Sequence, residues 1–439
     1  MLILPIPIYI INLPQREDRR LHTLNQFSDK KDFSLKFISP IPDRNGAKSL
    51  WRTIQDIVQE ADESEYVVIC QDDHQFTNDY SMEILWNCIM EAKSLDADVL
   101  MGGISWCNNT FPVRSNMFWV DQFSGLQFAV IFRQFFSRIL QASFNDYDCA
   151  DYKISALTDK KFVISPFISI QRDFGYSDIT SKNNTGGRVA KLFEDSSTCL
   201  SALSKVENFY SKSAVPLSIK EPNYNEITIP TYIINLPDRT DRLEHIKKEF
   251  AGRNEFDLTV VEACRHTIGA VGLWQSIRKV ISLAIDNDDD VIVICEDDHE
   301  FTKDYSSEFL IKNIIEAGEQ GVQYLSGGTS KFEKAVRVAD NRYWISFCLA
   351  TQFIVLYKSI FQAILNEPFD NTVIADQKLS GMIVNKMILY PFISMQKDFG
   401  YSDVTSVHRS EKNFVSNMFK ESKQTMERIL EAHKKFPRI

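Results

Sequence analysis

The strongest constraint on the fold of this chain is that it is written twice. Residues 67–81 read VVICQDDHQFTNDYS, and residues 292–306 read IVICEDDHEFTKDYS. IYIINLPQREDRR at 8–20 returns as TYIINLPDRTDRL at 231–243, and LMGG at 100–103 returns as LSGG at 325–328. PFISIQRDFGYSDITS (166–181) returns as PFISMQKDFGYSDVTS (391–406). The offset is 223 residues for IYIINLPQREDRR and 225 for the other three strings, so a two-residue insertion precedes the second acidic strand. A solenoid repeats every ~20–50 residues; a period this long means duplicated domains. The join falls near AVPLSIKEPNYNE (214–226), which bears proline and lacks apolar periodicity. The expected domains are 1–215 and 224–439.

Each copy alternates strand and helix. Ile6–Ile11 is a continuous apolar run, as in a strand buried on both faces. The charged segment Gln15–Phe27 carries apolar residues at helical spacing. A strand near Leu35–Ile38, a helix over Leu50–Ala61 and a buried strand Tyr66–Cys70 follow. Asp79 or Ser81 can cap a helix over Met82–Ala92, which leads into a strand at Val99–Met101. This order predicts an α/β fold with a mostly parallel, Rossmann-like sheet between helices, and ligands bind beyond the carboxyl ends of such strands. NLP and QDDH fall there. The second half of each repeat reads only as mixed α and β.

Composition narrows the function. Lys plus Arg number 49 against 59 Asp plus Glu, a formal charge of −10, which argues against a nucleic-acid partner. No apolar run reaches the ~18 residues of a membrane span, and MLILPIPIYIINLPQREDRR reads as a first strand, not a signal peptide. The eight cysteines include no CxxC pair, and a reducing cytoplasm is the expected compartment.

Three constellations carry chemistry. Adjacent carboxylates in QDDH and EDDH repel, and burying either one unpaired is costly. Mg²⁺ or Mn²⁺ resolves both problems, being a hard cation that takes oxygen ligands and retains water. The alternative is a solvated turn whose aspartate caps the next helix. In NLPxRxDR, Arg16 and Arg19 lie three apart at a helix start and can face one side, toward a diphosphate or an acidic neighbour. A plain ion pair with Asp18 is equally consistent with the spacing. Downstream, Asp151 and Asp376 occupy matching positions, suited either to a general base or to a helix cap.

Taken in order, NLPxRxDR, an apolar strand ending in EDD, a GG, an acidic D-x-K/L patch and P-x-I-x-x-Q…SD resemble the family 25 glycosyltransferases, the lipopolysaccharide- and collagen-type sugar transferases of GT-A fold. The resemblance covers nearly all of each repeat. It implies two tandem GT-A-like nucleotide-sugar transferase domains, moving a sugar from a nucleotide-diphosphate donor, a UDP-sugar for preference, to a hydroxyl of a saccharide or protein, with inversion at the anomeric carbon. It implies donor contacts from Asn12, Arg16, Arg19 and Asp72, and from Asn235, Arg239, Arg242 and Asp297. Glu296 and Asp298, with Asp73 in the first copy, become ligands of Mn²⁺ or Mg²⁺, and Asp376 and Asp151 the catalytic carboxylates. His408 follows the second SD loop where the first copy has Asn183; it can complete a metal site or be a surface histidine. Where the family has Gly-Cys-x-x-Ser-His, this chain has GAKSLW (46–51) and GAVGLW (269–274). Gln71 replaces the leading glutamate in the first copy, which lowers the expected metal affinity there and makes copy two the better candidate for activity. Two rivals remain: a nucleotide-sugar- or glycan-binding scaffold of degenerate transferase domains, and a metal-dependent phosphohydrolase.

Overall fold

The structure is a computed structural model and describes residues 5–61, 63–175, 185–212, 224–400 and 414–437. The chain divides into two compact units, one of Met1–Lys205 with Ile429–Ile439 and one of Val206–Arg428.

The first repeat runs β1 (Ile6–Ile11), α1 (Glu17–Phe27), β2 (Phe33–Ile38), α2 (Gly46–Glu60), β3 (Tyr66–Gln71), β4 (His74–Phe76), α3 (Met82–Ser94) and β5 (Val99–Met101). It continues with β6 (Trp106–Cys107), β7 (Thr110–Arg114), β8 (Met117–Val120), β9 (Phe123–Ser124), β10 (Phe128–Phe132), α4 (Arg133–Gln141), α5 (Ala150–Leu157), β11 (Lys161–Ile164), β12 (Ser169–Gln171) and α6 (Arg188–Lys212). The second repeat runs β13 (Ile229–Asn235), α7 (Thr240–Phe250), β14 (Phe256–Glu262), α8 (Gly269–Asp286), β15 (Val291–Glu296), β16 (His299–Phe301), α9 (Ser307–Glu319) and β17 (Tyr324–Ser326). It ends with β18 (Lys331–Arg337), β19 (Arg342–Leu349), β20 (Phe353–Tyr357), α10 (Lys358–Asn366), α11 (Ala375–Met382), β21 (Lys386–Leu389), β22 (Ser394–Gln396) and α12 (Phe414–Lys435).

Each repeat builds an eight-stranded sheet, ordered β2-β1-β3-β10-β5-β11-β8-β7 and β14-β13-β15-β20-β17-β21-β19-β18. Six strands of each point the same way; β10 and β8, like β20 and β19, run against them. The expected α/β class with a mostly parallel sheet is what the chain forms. Pro7 and Pro230 sit inside strands with neighbours on both sides, yet pairing with β3 and β15 begins one residue later, at Ile8 and Thr231. The missing N–H therefore breaks no bond on that side. Val67–Cys70 and Ile292–Cys295 are buried on both faces, which is why those runs do not alternate. Ser81 caps α3 by accepting from the Ile84 amide, and Ser306 does the same for α9 from Phe309.

Helix α1 is unlike a core helix. Its buried residues are Arg19, His22, Thr23 and Phe27, so its inner face is polar at the start and apolar only at the end. That polar start lies beside the end of β3. Directly after QDD the chain enters β4, which pairs antiparallel with β12 as a two-stranded arm; β16 and β22 repeat it. The paired glycines make room for this arm. Gly102 O accepts from the amides of Ile168 and Ser169, and a Cβ on Gly103 would sit on the Ser169 carbonyl oxygen. Gly328 stands in the same relation to Ser394. Backbone, unlike a flexible side chain, cannot turn aside. We therefore expect Gly328→Ala to cost about 2–3 kcal/mol or more, read by chemical denaturation of the full chain, with alanine at exposed Gly381 close to neutral.

Candidate functional site

At the tip of β3 the acidic pair is enclosed. Asp72 accepts from Asn12 Nδ2 at 3.0 Å and from Arg19 at 3.1 Å, and the same guanidinium reaches Asp73 at 3.3 Å. Gln171 at the end of β12 donates to Asp73 Oδ2 at 2.6 Å. The second copy reproduces every contact: Asn235 to Asp297 at 2.8 Å, Arg242 to Asp297 at 3.0 Å and to Asp298 at 3.2 Å, and Gln396 to Asp298 at 2.8 Å. Arg16 stands 3.9 Å from Asp72. Repulsion between the adjacent acids is thus relieved first by a guanidinium and an amide of the same chain.

The arrangement leaves one acceptor over in each copy. Asp73 Oδ1 and Asp298 Oδ1 are buried and have no hydrogen-bond partner among the described atoms. Burial, and then the neighbouring Asp72, pushes Asp73 up to about 6. Burial likewise raises Asp298 and Glu296 above the usual carboxylate range. A carboxyl that holds its proton more tightly in the folded state favours folding at low pH and loses that contribution as pH rises through the folded value.

In QRDF and QKDF the glutamine and the phenylalanine touch this cluster, the basic residue reaches a neighbouring histidine, and the aspartate holds its own loop by accepting the Gly175 or Gly400 amide. Phe174 packs under the Arg19 guanidinium at 4.8 Å and Phe399 under Arg242 at 4.9 Å. Arg172 donates to His22 Nδ1 at 2.9 Å, so His22 carries its proton on Nε2 and gives it to His74 O at 2.8 Å. Lys397, His245 and His299 repeat the relay at 3.2 and 2.9 Å. Burial keeps His22 below its ordinary value. No role is assigned to Gln171, Gln396, His22 or His245 by the sequence; the near-identity of the two QxDF strings was the available signal.

Each cluster opens on a cavity, of about 610 Å³ in the first copy and about 730 Å³ in the second. Asp151 lines the first and Asp376 the second. Both sit in the first turn of a helix and accept backbone amides: Asp151 from Gly125 at 3.0 Å and Tyr152 at 2.9 Å, Asp376 from Ala350 at 3.1 Å and Gln377 at 2.8 Å. Gly125 and Ala350 are at φ 103° and 85°, so each carboxylate anchors a left-handed turn as well as facing the cavity. Arg19 and Arg242 line these cavities, as does Arg16. Asn12 and Asn235 instead stand behind the acids. His408 lies outside the described residues.

The copies differ in one matched pair. Glu296 Oε1 accepts from Thr351 Oγ1 at 2.6 Å, whereas Gln71 Nε2 donates to the Leu126 carbonyl at 3.2 Å. Acid with hydroxyl has become amide with backbone carbonyl. Among the described residues no group of three or more His, Cys, Asp and Glu converges on a metal-sized position. In the second copy, Glu296 and the unpartnered Asp298 oxygen nonetheless fit a hard cation that draws its other ligands from water and a phosphate. The first copy offers one such carboxylate.

No protein-family model matches the chain, and no curated protein matches it. Among solved structures it is similar to A197 from STIV (15% identity, 40% of this chain and 87% of that one, TM-score 0.28). It is also similar to apo UDP-glucose pyrophosphorylase (14%, 44% and 82%, TM-score 0.26) and to the mannosyltransferase PcManGT from Pyrobaculum calidifontis in complex with GDP-Man and Mn²⁺ (12%, 43% and 66%, TM-score 0.23). Each likeness spans less than half of this chain, and at these scores none bears on what the chain binds. Among the described residues no helix is long and apolar enough to cross a membrane.

The buried acid yields a pH prediction. The native chain should lose stability as pH rises from about 4 to about 6 through Asp73, and Asp73→Asn should flatten that fall by about 1–3 kcal/mol in urea titrations.

Proposed function

We propose that the chain is a metal-dependent glycosyltransferase of the family 25 type, with GT-A-like domains near residues 1–215 and 224–439. It moves a sugar from a nucleotide-diphosphate donor, a UDP-sugar for preference, to a hydroxyl of a saccharide or protein. The observation that carries this reading is the buried, unpartnered carboxylate oxygen of Asp298 beside Glu296 and Arg242, facing a cavity at the tips of the central strands. A plain solvated turn would leave these acids in water at ordinary basicity.

A bound Mn²⁺ or Mg²⁺, held by Glu296 and Asp298, would supply charge neutralisation for the departing diphosphate. Arg242 in the first turn of α7, with Arg239 at the cap of that helix, contributes positive charge beside the phosphates. Asp297, clamped by Asn235 and Arg242, keeps that guanidinium in place. Asp376 uses one acceptor site on each oxygen for a backbone amide, which leaves capacity to take the proton of an attacking hydroxyl. That oxygen bonds to the anomeric carbon as the bond to the diphosphate breaks, with inversion in a single displacement. Asn12, Arg16, Arg19, Asp72, Asp73 and Asp151 take the matching parts in copy one. Gln71 favours a second reading for that copy alone, a binding module without turnover. The proposed site of action is the cytoplasm, where thiols packed inside apolar strands, such as Cys70 and Cys295, stay reduced.

Thermal-shift screening of nucleotide sugars with and without Mn²⁺ tests the proposal, since a ligand of the folded state raises Tm. We expect a UDP-dependent rise that needs Mn²⁺ and grows with pH, because the raised carboxyls must first lose their protons. Asp298→Asn should abolish the Mn²⁺-dependent part. Asp376→Asn should lower turnover ~10²–10⁴-fold with UDP binding intact. Equal shifts in wild type and Asp298→Asn would defeat the reading. Turnover abolished by Asp298→Asn but unchanged in Asp73→Asn would leave copy two as the one active site.

A further inference from the structure

Large aromatic side chains in this protein are mostly buried, which makes one exposed pair conspicuous. Trp106 is 40% exposed and Tyr152 50%, and their rings lie 6.3 Å apart at 53°. Tyr152 lines the first cavity and directly follows Asp151, to whose carboxylate its amide donates. Trp106 follows Ser105 and pairs with Ser124 across β6 and β9. Both serines line the cavity, with hydroxyls 2.9 Å apart. The pair stands on β6, which follows β5, and on α5, while Arg16 and Arg19 stand at the start of α1 beside the acids that end β3. In the second copy the same positions hold Lys331 and Gln377, so the duplicated framework does not require aromatics there.

We propose that Trp106 and Tyr152 form a saccharide-binding platform, the acceptor subsite of copy one and a feature copy two lacks. This rests on the transferase reading of the cavity. The chemistry matches a pyranose ring. Its C–H face is weakly electropositive and apolar, and meets the negative face of an aromatic ring. Its hydroxyl edge needs acceptors and donors, which Asp151, Ser105 and Ser124 present at the cavity wall. A phosphate-bearing ligand would instead be drawn to the arginine side. An acceptor ring lying on Trp106 and Tyr152 would bring its hydroxyls to Asp151. Copy two, with an ammonium and an amide at those positions, would select a different acceptor.

The test applies the full-length chain to a printed glycan array and follows hits by titration. We expect retention of a subset of glycans. Trp106→Ala and Tyr152→Ala should each weaken binding about tenfold or more, while Trp106→Phe keeps most of it. Trp106 is more than half covered, so its alanine variant should lower Tm, while Trp106→Phe and Tyr152→Ala should keep the fold, and binding by Tyr152→Ala decides the test. The Mn²⁺-dependent shift given by UDP should be unchanged in all three variants. The proposal is overturned if no glycan is retained, if the alanine variants bind like wild type, or if they lose the UDP shift instead, which would make the platform a nucleobase stack. An unchanged UDP shift with no Trp106-dependent glycan binding sinks the platform alone. Trp106-dependent glycan binding with no UDP shift at all sinks the transferase reading and keeps the platform.

Discussion

Everything near either site depends on one guanidinium. Arg19 in the first copy and Arg242 in the second each bridge two adjacent carboxylates at the end of a strand buried on both faces. Without that bridge two like charges would share a low-dielectric pocket, and removing one partner of a buried ionic cluster costs about 3–5 kcal/mol. The bridge also explains why the first turn of α1 and α7 is polar inside. Those helices are held by the acids at their starts and by phenylalanine at their ends. Around the bridge stand an asparagine from the strand before, a glutamine from the small arm and a phenylalanine beneath the guanidinium face.

The sheet supplies position and the arm supplies closure. Parallel strands bring NLP and QDD to one edge because both follow strands of the same direction that lie side by side. The arm then folds back over that edge, and it can do so only because two glycines keep side chains out of its path. A site assembled from strand tips, one helix start and a clamped arm is preorganised by packing. Its acids hold their positions before any ligand arrives, and Asp73, Glu296 and Asp298 already hold their protons more tightly than usual.

Much of this was legible in the amino-acid order. Strands β1, β2, β3 and β5 and helices α1 to α3 fall near where apolar runs and the capping serine put them, because those elements are locally determined, whereas β4 was not expected. The α/β class and the mostly parallel sheet of each repeat follow from the alternation. The second half of each repeat was not legible. Its strands β6 to β10 are short, β7 and β8 are buried on both faces so that neither alternates, and β10 pairs with the distant β3 and β5, so no local period marks them. The acids were picked out by their place after a buried strand, but the nature of their first partner was not. An arginine 53 residues upstream reaches Asp72, and spacing carries no record of that. Likewise Thr351 reaches Glu296 from 55 residues away. The near-identity of QRDF and QKDF was visible, while the reason, that its glutamine binds the acid pair and its phenylalanine underlies the guanidinium, needed three dimensions.

The exchange of Glu296 and Thr351 for Gln71 and Leu126 separates the two halves by more than one letter. Changing Gln71 alone to glutamate would place a second anion beside Asp73 facing a leucine, with no hydroxyl to receive it. Changing Glu296 alone to glutamine would keep the Thr351 bond, because an amide oxygen accepts from a hydroxyl as a carboxylate does. The first half alone is therefore locked into its polarity by a neighbour on another loop, and a chain passing to the acidic state crosses its least settled intermediate when the acid arrives before the hydroxyl.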